Sequence, residues 1–146
     1  MKAIDKTAAK EWCEAHDFEI DSGGLPSLIP TTEKFSIPED AGARVALVRG
    51  HMRAFCDEEE TCVWLNDWSV WPSGQWEHLF QQFRLSYGIS EKLAELPCQL
   101  IQKKEFDATV STVIYAVLML WDCYVLGASG QRFVFYSHDE VGLKSA

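Results

Sequence analysis

A chain of 146 residues with 47% apolar and 12% aromatic content is long enough for one packed domain and too hydrophobic for a disordered one. Its formal charge of −9 argues against direct binding to nucleic acid or an anionic membrane, because phosphate recognition is driven by Lys and Arg. An acidic surface serves solubility and also suits a basic protein partner.

Five cysteines, with no CxxC pair and no zinc-ligand spacing, read as free thiols, most of them small core hydrophobes. The N-terminus lacks the basic-then-apolar pattern of a secretory leader, and no apolar run approaches the ~20 residues that span a bilayer. The expectation is a cytoplasmic protein.

In chain order, residues 5–16 place Ala8, Trp12 and Ala15 on one side of a helix. Residues 17–30 hold Asp-Ser-Gly-Gly, Leu-Pro and Ile-Pro, a loop packed down by Leu25, Leu28 and Ile29. A short strand at 32–37 precedes a helix whose capped start is Ser36-Ile37-Pro38-Glu39 and whose inner stripe is Val45, Val48, Met52 and Phe55. Arg44, Arg49, His51 and Arg53 fall mostly off that line and make a basic surface. The acidic run at 57–60 lacks the alternating ligands and glycine of a calcium loop and reads as a solvated turn.

The stretch 61–88 specifies structure most strongly. Cys62-Val63-Trp64-Leu65 is a buried strand, and Trp68, Val70 and Trp71 continue the apolar lining up to Pro72. Ser73 is a natural N-cap, Trp76, Leu79, Phe80 and Phe83 form one helical stripe, and Gly88 suits a helix stop. Residues 90–96 read as one or two helical turns ending before Pro97, and 98–101 as an apolar piece of either type. Phe106, Val110, Val113, Ile114, Val117 and Trp121 fit a buried helix, against the pull of their β-branched neighbours. The runs 123–126 and 132–136, joined through Gly-Ala-Ser-Gly, form a β-hairpin, and the residues after Glu140 read as frayed. The sum is a single α+β domain over residues 1–146, a small antiparallel sheet with a C-terminal β-hairpin packed against about four helices.

Trp68-x-x-Trp71-Pro72-Ser73, then Arg84-x-Ser86-Tyr87-Gly88, then Ser137-His138-Asp139-Glu140 form a set that resembles a family of small, uncharacterised bacterial proteins. The resemblance spans roughly residues 40 to 141. It bears on the fold and implies no activity.

His138, Asp139 and Glu140 are the candidate catalytic residues, since an imidazole beside carboxylates can act as a general base or supply metal ligands. Successive residues on an extended chain face opposite ways, so the three converge only at a turn. A metal would need further ligands, for which Asp67, His78 and Asp122 are candidates, and spacing alone implies no metal site. The simpler reading is that His138 and Asp139 terminate the hairpin.

Trp64, Trp68, Trp71 and Tyr87 are the candidate binding residues, because Trp and Tyr concentrate at recognition hot spots, although the tryptophans suit core packing as well. Ser86 and Ser137 lack a nucleophile-elbow context, and there is neither a phosphate cradle nor a cofactor motif. The leading expectation is a non-enzymatic interaction module, immunity- or regulator-like, that binds a basic protein through an acidic, Trp-rich surface. The alternative is a small hydrolase or metal-dependent enzyme with a His138/Asp139 site. A homodimer through the Trp-rich surface is compatible with either.

Overall fold

A computed structural model describes residues 1–27, 32–68 and 74–145. Their elements run β1 (Lys2–Ile4), α1 (Lys6–Ala15), β2 (Thr32–Ser36), α2 (Ala41–Met52), β3 (Glu60–Asn66), α3 (Gly74–Leu85), β4 (Cys98–Gln102), α4 (Phe106–Leu118), β5 (Asp122–Gly127), β6 (Phe133–Tyr136) and β7 (Val141–Ser145). The strands form one seven-stranded antiparallel sheet in the order β1-β4-β3-β5-β6-β7-β2. The α+β reading with a C-terminal hairpin holds, in a sheet wider than the sequence suggests. No helix among the described residues is long and apolar enough to cross a membrane.

The sheet is covered on both faces, and strand alternation decides which residue serves which core. Val63 and Leu65 of β3, with Cys123 and Val125 of β5, face Val48 and Met52 of α2, Phe80 of α3 and Val113 and Val117 of α4. Cys62 and Trp64, with Tyr124 and Leu126, face Ala9, Trp12 and Cys13 of α1. Burial on both sides explains why β3 and β5 read as unbroken apolar runs.

Several elements depart from the sequence reading. Helix α2 starts later than expected: Asp40 caps it, its Oδ1 accepting from the Ala43 amide at 2.7 Å. Ser36 instead ends β2, and the Ile37 amide donates to the Glu140 carbonyl at 2.8 Å. Arg44 is buried and not part of a basic surface; it donates to the Pro38 carbonyl at 2.6 Å and pairs with Glu140. Residues 90–96 form turns and no helix, and 98–101 belong to β4. The C-terminal residues are not frayed, because β7 lies between β6 and β2 and completes the sheet. There, Gly142 leaves room for the Phe35 ring of β2: a Cβ at 142 would lie 2.1 Å from Phe35 Cζ. The expected contributions of Leu28, Ile29, Val70, Trp71, Pro72 and the Ser73 cap lie outside the described residues.

The acidic run also differs from a solvated turn. Glu58 is buried, and its carboxylate accepts from the Ser129 amide at 2.8 Å and the Ser129 hydroxyl at 2.7 Å, with Arg132 Nη1 at 3.3 Å. It lies over Gly127, where any Cβ would come within 2.5 Å of its Cδ. One carboxylate therefore pins the β5–β6 turn. Glu58→Ala leaves three donors without their acceptor and should cost about 2–3 kcal/mol in urea unfolding. A loss under about 0.5 kcal/mol, the level of an ordinary surface change, would show that Glu58 does not hold the turn.

Candidate functional site

Three chemistry-bearing side chains converge at one end of the sheet, and strand register brings them there. Asn66, the last residue of β3, pairs with Asp122, the first of β5. The next residue, Asp67, turns out of the strand at φ 47°. On the other side of β5, Cys123 pairs with Tyr136, so the turn after β6 brings His138 beside Asp122. That turn closes with Glu140 at φ 62° and with the Ser137 amide donating to the Val141 carbonyl at 2.9 Å.

Asp122 is nearly sealed, and one of its oxygens, Oδ1, lies 2.8 Å from both the His138 amide and the His138 Nδ1. The hydrogen bond to Asp122 raises the His138 pKa; burial opposes the rise, and the charges of Asp122, Asp139 and Asp67 reinforce it. Single ligand atoms of Asp67, Asp122 and His138 lie within 4.8 Å of one another. The imidazole keeps part of its surface in solvent, with a side chain 28% exposed.

The remaining candidates take other roles. Asp139 projects into solvent, its carboxylate 3.6 Å from His138 Nε2, so Asp122 and not Asp139 is the imidazole's close partner. Glu140 points away to buried Arg44 and secures the turn. His78 sits exposed on α3 and is no member of the cluster.

Among the aromatic candidates, Trp64 has no exposed surface; it fills the core beneath α1, contrary to a binding role. Trp68 is half-buried against the larger core. Trp71 lies outside the described residues. Tyr87 is 37% exposed and meets the Phe83 ring edge-on at 5.3 Å.

The surface residues that the sequence reading missed, Leu79 and Leu85, are on α3. Its stripe of Trp76, Leu79, Phe80 and Phe83 is real, but the helix is rolled so that Phe80 and Arg84 face inward. Arg84 donates to the Leu96 carbonyl at 3.0 Å and to Gln81 Oε1 at 3.1 Å, which fixes the roll. Trp76 at 39%, Leu79 at 52%, Leu85 at 44% and Tyr87 at 37% are left as the exposed large hydrophobic side chains among the described residues. The clue lay in the breadth of that stripe, flanked by Leu85 and Tyr87, which is wider than one buried face needs.

Buried thiols contribute packing. Burial pushes Cys13 up to about 12 and raises Cys62, Cys98 and Cys123 well above the ordinary thiol value too, so these groups stay protonated and non-nucleophilic. No protein-family model, curated protein or solved structure matches this chain.

His138 and His51 are displaced in opposite directions. Burial lowers the pKa of His51, which lies against Tyr136 and Phe35, and the charge of Lys144 adds to the effect. The protonated His138–Asp122 pair stabilises the fold below the ordinary histidine value and loses that contribution as pH rises through its raised midpoint. Neutral His51 stabilises above the ordinary value and loses its contribution as pH falls through its depressed midpoint. In metal-free protein, imidazole resonances followed by NMR should bracket the ordinary value, and Asp122→Asn should lower the His138 midpoint without moving that of His51. Coincident titrations, or an unmoved His138 in the variant, would contradict the assigned geometry.

Proposed function

We propose that this chain is a non-enzymatic protein-interaction module that docks a basic protein through the exposed face of α3. The observation that carries the reading is the concentration of exposed large hydrophobic side chains on this helix and its C-terminal end, in a molecule of charge −9. Single exposed apolar residues are ordinary, whereas four along one helix and the turn after it, Trp and Tyr among them, have the composition of a recognition hot spot. Glu77 in the first turn of α3 and exposed Glu91 beyond its end put acids on the same stretch of chain as these apolar side chains. Such a combination favours a partner whose own apolar patch is ringed by Lys and Arg, with charge steering the encounter and the apolar centre holding the complex. A second copy of this acidic chain is repelled by the same charge.

A hydrolytic reading centred on His138 draws on a different observation, the 2.8 Å approach of its Nδ1 to Asp122. In that reading Asp122, not Asp139, orients the imidazole, and Nε2 is the nitrogen left for proton transfer.

Photocrosslinking in cells tests the docking reading. A photoreactive residue at Leu79 should capture a basic protein that the same residue at Glu19, carried outside the sheet and helices, does not. Reconstituted with that partner, Leu79→Asp should weaken binding at least tenfold, and added salt should slow association. Self-capture at position 79, or identical products from both positions, would overturn the reading.

A further inference from the structure

We infer that Asp67, Asp122 and His138 form a site for one divalent first-row transition ion, with zinc as its representative. The inference is independent of the α3 surface, because the three residues belong to the end of β3, the start of β5 and the β6–β7 turn.

Chemistry and distance both favour such an ion. One imidazole nitrogen and two carboxylates form a mixed donor set that suits zinc and its neighbours; magnesium and calcium prefer oxygen donors alone. Ligand atoms at about 2.1 Å from a tetrahedral ion stand about 3.4 Å apart. Here they already lie within 4.8 Å of one another, and the 2.8 Å hydrogen bond between His138 Nδ1 and Asp122 Oδ1 is one the ion would replace.

The backbone holds these positions without the ion. Strand pairing fixes Asp122. The His138 amide is tied to Asp122 Oδ1, and Glu140, two residues on, anchors the turn through Arg44. Among the described residues Asp122 Oδ2 accepts no hydrogen bond, which leaves that oxygen for the ion.

Charge points the same way. Two carboxylates within a few ångströms repel each other, and a divalent ion compensates both. In the empty site only the His138 imidazole can offset that repulsion, by holding a proton that the ion would replace, while Asp139 adds a further negative charge and Arg44 is committed to Glu140. Three protein ligands leave at least one coordination position for water, as in open sites and unlike closed structural ones.

Calorimetry with zinc alone on the full chain, after chelator treatment, tests the inference. The wild type should take up one equivalent and gain thermal stability. Asp67→Asn and His138→Gln should each lower affinity at least tenfold, while Glu59→Gln and Cys56→Ser, at the opposite end of β3, should leave it unchanged. Cobalt in place of zinc should give visible ligand-field bands that both ligand variants weaken, a signature that a purely structural role would not move. Asp67 is exposed at a strand end, so its variant decides the matter even if His138→Gln unfolds the turn. Absence of saturable zinc uptake, or uptake unchanged in Asp67→Asn, would overturn the inference.

Discussion

The register between β3 and β5 is the constraint on which the rest depends. Val63 opposite Val125 and Leu65 opposite Cys123 build one core, while Cys62 opposite Leu126 and Trp64 opposite Tyr124 build the other. A slip by one residue would send each set to the wrong face, so burial strongly disfavours it. The same pairing sets Asn66 opposite Asp122 and thereby carries Asp67 to the place where it meets His138. Fold and site are consequences of one alignment.

Buried polar groups do the rest of the positioning. Glu58 ties the β5–β6 turn to the chain entering β3, Arg44 ties α2 to the β6–β7 turn, and Arg84 ties α3 to the segment before β4. Glu58 and Arg44 are buried and paired with an opposite charge, the condition under which a buried charge is tolerated, while Arg84 is held by a carbonyl and Gln81 with its Nε left unpartnered among the described residues. The Arg84 contacts also account for the exposed face of α3. With Phe80 and Arg84 turned inward, Trp76 and Leu79 keep part of their surface in solvent.

The sequence was most legible where a pattern is local and long. The apolar run of β3, the hairpin of β5 and β6 and the helical stripes of α3 and α4 could all be read from spacing. What stayed hidden depends on partners distant in sequence. Strand β1 has three residues and β7 holds Gly142 and Lys144, so neither looks like a strand until β4, β6 and β2 are beside it. Glu58 and Arg44 read as surface charges because composition does not show a remote acceptor or donor. The site was legible in its parts and not in its assembly: His138, Asp122 and Asp67 were all visible as candidates, while sequence adjacency favoured Asp139, which the turn sends into solvent. On the aromatic side, periodicity located the apolar face of α3, and only the packing around Phe80 shows which part of that face is covered.

The decisive measurement is the β3–β5 register in solution, read from cross-strand nuclear Overhauser contacts. The pairing described here predicts contacts linking Val63 with Val125 and Asn66 with Asp122. A register displaced by two residues would keep every side chain on its proper face, yet move Asp122 about 7 Å along the strand away from Asp67. That outcome would leave the two cores conceivable and dismantle the site, and would contradict the link between them.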